Sequence, residues 1–298
     1  MKKGHKVIIF FLVLILVIVS TSWILISMHY PKTNNKVQIK NTVNTSQNQN
    51  DKNKDRVKIL QNEERNFTKA PLITEDSSIP VLMFHSITEV KGNELQTSKA
   101  QFKQEMQYLK DKGYTTLTLT ELYGFFEKNK SVPKKSVVIT FDDGYVDNYT
   151  NAYPILKQFG FKATIFDITS TVDTSTAYLT SAQLKELDSN GIDIEPHTLT
   201  HPYLNKLSYE KQYKELKTSK DFIETLLSKS VKFVAYPYGD WNQDTIKAVK
   251  DIGYTMAFTT AGTWSNKQNG IYTLYRVYIS SNFSMDEFNN RMTNEHYK

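Results

Sequence analysis

The sequence predicts an α/β fold: short parallel strands alternating with helices and curving into a barrel, behind an N-terminal membrane span and a flexible stalk. Three observations carry this expectation. From residue 79 onward, short apolar runs alternate with helix-like stretches. Repeated strand-then-helix units with apolar strands imply a largely parallel sheet covered by helices. There are too many such units for a small open sheet, which favours a barrel.

The N-terminal elements come first. Lys2, Lys3 and Lys6 precede residues 7–28, which carry no charge. At about 1.5 Å per residue this run is long enough to cross a hydrocarbon core of roughly 30 Å. It is longer than the apolar core of a cleavable signal peptide and shows no clear small-x-small site, although Ser20 and Ser22 leave cleavage, and hence secretion, open. The lysines before the run set the N-terminus inside and the rest outside. Residues 29–78, rich in Asn, Lys, Gln and Thr, bury too little surface to offset the entropy of ordering and are expected to form a stalk. The expected organisation is a cytoplasmic tip and signal-anchor at 1–28, a stalk at 29–78 and an outer domain at 79–298, in a single-pass protein of the cell membrane.

Within the outer domain, "IPVLMFHSI" predicts a strand ending near His85. "SKAQFKQEMQYLKDKG" predicts a helix, with Phe102, Met106 and Leu109 at helical spacing and Gly113 as its stop. The alternation continues with strands in "YTTLTL", "KSVVITF", "KATIFDI", "IDIEPH", "VKFVAYPYG" and "YTMAFTT". The helices between them are "TELYGFFEKN", "YVDNYTNAYPILKQFG", "TSAQLKELDSNG", "SYEKQYKELKTSKDFIETLLS" and "NQDTIKAVKDIG".

Composition excludes several classes. The chain has no cysteine, so disulfides, thiolate metal sites and a cysteine nucleophile are ruled out. Residues 1–78 carry 12 Lys and Arg against 6 Asp and Glu, whereas the remaining 220 residues carry 25 of each. The basic balance belongs to the tail, and nothing in the outer domain calls for nucleic acid or an obligate protein partner.

The chemistry-bearing residues sit at predicted strand ends, where barrels of this kind collect their sites. Asp142 and Asp143 stand side by side before Gly144. His197 and His201 are four residues apart, a spacing that lets two imidazoles hold one metal ion. A catalytic zinc commonly has three protein ligands and an open position, and two histidines with one aspartate make such a set. The second aspartate is then free to accept a proton from a water acidified by the cation. Paired glycosidase carboxylates, by contrast, lie across a sugar from one another, about 5–10 Å apart, which argues against a metal-free glycosidase.

"TFDDG", "HTLTHP" and "YPYG", in this order at 140–144, 197–202 and 236–239, resemble the polysaccharide deacetylase family of metal-dependent carbohydrate esterases. The resemblance covers about residues 79–290. It implies a distorted (β/α)7-type barrel that removes acetyl groups from N-acetylated sugar polymers. It implies Asp142 as general base and Asp143, His197 and His201 as ligands of one divalent ion, zinc first, with cobalt, manganese or nickel as alternatives. It also implies that the "YPYG" loop walls the substrate groove, with the Tyr238 N–H after Pro237 binding the oxyanion and with Tyr236, Tyr238 and Trp241 available to sugar rings. Two features depart from the family pattern. The arginine usual two residues before the motif proline is replaced by Ala235, with no evident partner aspartate in "YTMAFTTAGTW". The late histidine that protonates the leaving amine is missing from "TLYRVYISS". The branch resembling the biofilm poly-N-acetylglucosamine deacetylases carries a first-strand histidine, and His85 stands at that place as the acid. The expected partner is an N-acetylated cell-surface glycan or peptidoglycan; a catalytically impaired glycan-binding protein on the same fold is the alternative.

Overall fold

The computed structural model describes residues 65, 67–68, 71–74, 77–89 and 92–297. Strand β1 (Leu72–Ile73) leads into β2 (Val81–Phe84), and past His85 the short β3 (Ser86–Ile87) pairs with β4 (Gln96–Thr97). Helix α1 (Lys99–Asp111) starts where the Ser98 side chain accepts from the Gln101 N–H, and it buries Phe102, Met106 and Leu109. Next come β5 (Thr115–Thr116) and α2 (Leu119–Glu127), the latter opened by a reciprocal Thr118–Glu121 capping box. Then follow β6 (Val132–Pro133) and β7 (Ser136–Asp143). The expected helix after β7 is present from Val146 onward. Its Asn148–Ala152 stretch takes π-type geometry and runs straight into α3 (Tyr153–Phe159), so Pro154, which has no N–H to donate, sits where the two meet.

The alternation runs on through β8 (Ala163–Asp167), α4 (Ser181–Ser189), β9 (Ile192–Pro196), α5 (Tyr209–Leu227), β10 (Phe233–Ala235), α6 (Gln243–Ile252) and β11 (Met256–Phe258). Strands β1, β4 and β6 escaped the sequence pattern, as did two later elements, β12 (Val277–Tyr278) and α7 (Met285–Thr293).

Strands β12, β2, β7, β8 and β9 form a parallel sheet in that order, with β5 also paired to β7. Strands β10 and β11 form a separate parallel pair. The α/β architecture is as expected, but the hydrogen-bonded ladder of a closed barrel is not seen among the described residues. Between β9 and β10 a carboxylate does part of the work of a ladder: Glu195 accepts from the N–H groups of Lys232 and Phe233, at 3.2 and 3.0 Å.

Side chains alternate across β7 with a period of two. Val137, Ile139 and Phe141 join the core formed with the helices, together with Phe102, Leu156, Leu184 and Leu216. Val138 belongs to a second core, with Val81, Phe166, Phe233, Met256 and Phe258. Asp142 continues the Val138 and Thr140 side of the strand, so its position is dictated by the same alternation that builds the two cores.

One expectation about the N-terminal region changes. The single-pass membrane location is not upheld: among the described residues no helix is long and apolar enough to cross a membrane, and the expected span at 7–28 lies outside them. Described residues that precede the boundary expected at residue 79 pack on the outer domain. Arg65 binds Glu121 through two guanidinium nitrogens, Phe67 packs on the second core, and β1 pairs antiparallel with β6.

Candidate active site

The end of β7 delivers the two aspartates. Asp142 still has the inward direction of the strand, while Asp143 turns out of it at φ 74°. Gly144 follows at φ 73°, and a Cβ there would lie 1.9 Å from Asp167 Oδ1, so only glycine fits. His197 follows β9, and Thr198 and His201 take φ of 67° and 58° to bring the second imidazole back over the first. Left-handed backbone at bulky residues is costly, and its concentration in these loops marks a site that the surroundings over-determine.

Asp143, His197 and His201 each offer a ligand atom within 4.8 Å of the others. Asp143 Oδ1 lies 3.4 Å from His201 Nε2 and 3.7 Å from His197 Nε2. His197 Nδ1 lies 2.8 Å from the Ala235 carbonyl. A carbonyl can only accept, so Nδ1 carries the proton and Nε2 keeps a lone pair toward Asp143. Burial, with His201 and Arg276 nearby, pushes the His197 pKa down to about 3, and burial also lowers that of His201. Both rings are therefore neutral at pH 7. Asp143 Oδ1 is buried without a hydrogen-bond partner, and burial followed by the neighbouring Asp142 charge raises its carboxyl to about 6. An orphaned carboxylate oxygen facing two neutral imidazole nitrogens is a donor set that fits a divalent cation. The Tyr145 hydroxyl lies beside Asp143 and works against burial to lower its pKa.

Asp142 is held differently. Arg276, fully buried just before β12, donates Nη1–H to Oδ1 and Nη2–H to Oδ2, each at 2.7 Å. Its Nε–H donates to the Thr259 carbonyl and fixes the plane of the fork. Burial alone would raise Asp142, but Arg276 and His197 outweigh it and hold the carboxyl well below the ordinary range. The sequence reading counts an arginine as missing at Ala235; a guanidinium nonetheless reaches Asp142 from another strand. The signal was present, a lone arginine within the apolar alternation of "TLYRVYISS".

His85 follows directly after β2 and lies beside both aspartates. Asn148 donates to its carbonyl at 2.7 Å, and its Nδ1 is buried without a partner. Asp167, fully buried beneath Gly144, has both carboxylate oxygens without partners and a pKa raised well above normal by burial and by Asp143. On the "YPYG" loop, Pro237 is buried and Tyr238 adopts φ 59° with its ring 4.6 Å from that of His201. Tyr238 and Trp241 are exposed, at 47% and 38%. The expectation that Tyr236 meets a sugar fails: its side chain is fully buried in the helix-side core, because it continues the Val234 side of β10.

A family model described as polysaccharide deacetylase matches residues 129–257. YxkH of Bacillus subtilis (strain 168), named as a polysaccharide deacetylase, is 40% identical over 222 residues, which are 74% of this chain and 78% of its own. The chain belongs to the polysaccharide deacetylase family. Its relatives in that family include a poly-β-1,6-N-acetyl-D-glucosamine N-deacetylase of Staphylococcus aureus (strain MRSA252), 31% identical over 67% of this chain and 72% of that protein. The deacetylase PplD of Streptococcus pyogenes, solved in complex with acetate, superposes with a TM-score of 0.70 at 34% identity, covering 73% of this chain and 99% of that one. Family membership makes the chain a hydrolase of the deacetylase type.

Proposed function

We propose that the chain is a metal-dependent N-deacetylase acting on an N-acetylhexosamine polymer. The observation that carries this reading is the pair of unlike aspartates: Asp143 orphaned toward two neutral imidazoles, Asp142 ionised under a fork of Arg276. One carboxylate is built to bind a cation and the other to stay charged beside it. The polymer is suggested by the Staphylococcus aureus relative, and acetate as the released product by the acetate bound to the Streptococcus pyogenes deacetylase.

Asp143, His197 and His201 would hold the ion, with zinc first among the candidates. When bound, such an ion supplies a Lewis acid that polarises the acetyl carbonyl and acidifies water. The chain's own residues do the rest. Asp142 accepts the proton of the attacking water, and Arg276 keeps that carboxylate ionised and oriented. The Tyr238 N–H, on its strained loop, stabilises the negative charge that develops on the acetyl oxygen. His85 delivers a proton to the departing nitrogen, because an amide anion is a very poor leaving group. The products are acetate and a free amine on the sugar.

The test measures acetate release from β-1,6-linked and β-1,4-linked N-acetylglucosamine oligomers and from peptidoglycan, with metal content determined in parallel. Release should disappear after chelation and return with added metal. Asp142→Asn should retain metal and lose turnover, whereas His201→Ala should lose both. Release that persists in Asp142→Asn would overturn the role of Asp142, and metal-independent release would overturn the mechanism.

A further inference from the structure

The ladder between β2 and β7 ends with Phe84 opposite Phe141. His85 is the first residue past it on one strand, and Asp142 the first on the other. From His85 the chain turns into β3, which pairs with β4. Side chains from the segment after β7 fix this turn. Asn148 donates Nδ2–H to the His85 carbonyl at 2.7 Å. Asp147 Oδ1 accepts from the Ile87 N–H at 2.8 Å, and its Oδ2 accepts from the Ser86 hydroxyl at 2.6 Å. Asn151 donates Nδ2–H to the Ile87 carbonyl at 2.8 Å. His85, Ser86 and Ile87 are thus each tied to side chains of residues 147–151.

Two considerations carry this beyond loop packing. The first is how the His85 ring is held. Its Nδ1 is buried without a partner, so no hydrogen bond at that atom fixes the imidazole, and the ring takes its place from the backbone beneath it. The carbonyl that Asn148 grips is that of His85 itself, and Asn148 is 1% exposed, so little water competes for the bond. The second is where the ties come from. They belong to the segment that follows Asp142 and Asp143 directly, and its Asn148–Ala152 stretch takes π geometry, which is rare and concentrates at functional sites. One piece of chain therefore carries the base, a metal ligand and the anchors of the acid. Separation between base and acid is then set within that piece instead of between two independent loops. A proton donor displaced by about 1 Å loses much of its effect, so such an anchor has a chemical consequence.

We propose that Asn148, supported by Asp147, is a positioning residue for His85: it holds the acid where it serves the departing nitrogen and touches no reacting atom. The inference rests on the deacetylase reading above and on the role given there to His85.

The test measures kcat and KM of the zinc-loaded full chain on an N-acetylglucosamine oligomer and on an activated aryl acetate, with metal content and melting temperature determined for each variant. Asn148→Ala should lower kcat on the oligomer by at least about tenfold, a part of what a positioned acid supplies, and leave KM and metal content unchanged. Loss on the aryl acetate should be far smaller, because a phenolate leaves without a proton. Asn148→Leu fills the space of the asparagine without its donor, so it guards against a collapsed alanine variant, and it should behave in the same way. Asp147→Asn keeps one acceptor for the Ile87 N–H and should lose less than Asp147→Ala. The deciding measurement is a double variant. With His85→Ala in place, Asn148→Leu should cost less than about twofold more on the oligomer, because no acid is left to position. Losses that multiply in the double variant would overturn the positioning role. So would equal losses on the two substrates, or full oligomer activity in Asn148→Leu. In each of these cases acetate release by the unmodified enzyme leaves the deacetylase reading standing. Absence of acetate release from every N-acetylated glycan would overturn that reading and the positioning role together.

Discussion

Arg276 and Asp142 form a buried ion pair, and such pairs are costly to break because the survivor is left uncompensated. Arg276→Gln should therefore destabilise the protein, by roughly 3–5 kcal/mol, measurable by denaturant unfolding. It should also move the acidic limb of the kcat/KM profile. Arg276 lowers the Asp142 pKa against burial, so without it burial dominates, the pKa rises and the limb shifts to higher pH. An unmoved limb would show that Asp142 is not the group titrating there. His85 makes a second expectation. His85→Ala should reduce amide hydrolysis by about 10²–10⁴-fold, the contribution of a positioned acid, and reduce hydrolysis of an activated aryl acetate far less, because a phenolate leaves unaided. Equal losses on both substrates would assign His85 to structure. The aspartates and histidines were legible in the sequence because few residue types do this chemistry and they fall at strand ends. Arg276 stood out as a lone arginine in an apolar run, but its partner did not, because that is set by a parallel pairing between β12 and β2 that no local pattern announces.

The elements that the sequence reads well are those whose pattern is local. Helices α1, α2, α4 and α6 begin at Ser98, Thr118, Thr180 and Asn242, each accepting a backbone N–H at the N-cap. The elements it misses depend on distant partners. Strand β12 has two residues, and β1 exists only because β6 lies opposite it. The segment from Arg65 to Ile73 is the sharpest case. Its composition resembles the stalk, yet Arg65 donates to both carboxylate oxygens of Glu121, the residue that closes the α2 capping box, and to the Thr116 carbonyl. Phe67 and Ile73 then cover the second core, which includes Leu122 and Phe126 of α2. A fragment beginning at Val57, the first residue of the larger compact unit, should unfold cooperatively. A fragment beginning at Ile79 should be less stable by about 1–3 kcal/mol, the worth of two partly buried apolar side chains and a strand pairing. Equal melting temperatures for the two would show that the strap contributes nothing.

Across the whole molecule, stability should carry the imprint of one acid far from the active cluster. Glu105 lies on the core side of α1, with one carboxyl oxygen accepting from Gln101 Nε2 at 3.0 Å and the other without a partner. Burial raises its pKa from 4.5 to about 8, against the lowering effect of that hydrogen bond. A folded-state pKa above the unfolded value means that the native protein holds this proton more tightly. The stability it contributes is fully present below about pH 4.5 and is lost as pH rises toward 8. Above that range the native state must hold a buried carboxylate whose attraction to Gln101 is too weak to compensate. His197 titrates in the opposite sense, losing stability as pH falls below its unfolded value of 6.5, and Asp143, Asp167 and Glu195, also raised by burial, act in the same sense as Glu105, so the total curve mixes several groups. The difference between variants separates them. Glu105→Gln keeps the shape and removes the charge, and relative to the unmodified protein its unfolding free energy should rise steadily from pH 4.5 to 8 and level off beyond. By pH 9 the gain should exceed about 1 kcal/mol, since a tenfold difference in proton affinity between the folded and unfolded chain is worth about 1.4 kcal/mol. Urea unfolding at several pH values measures it directly. Metal should not alter that difference, because Glu105 is no part of the donor set; a difference flat with pH would mean that Glu105 finds a partner in solution and ionises normally.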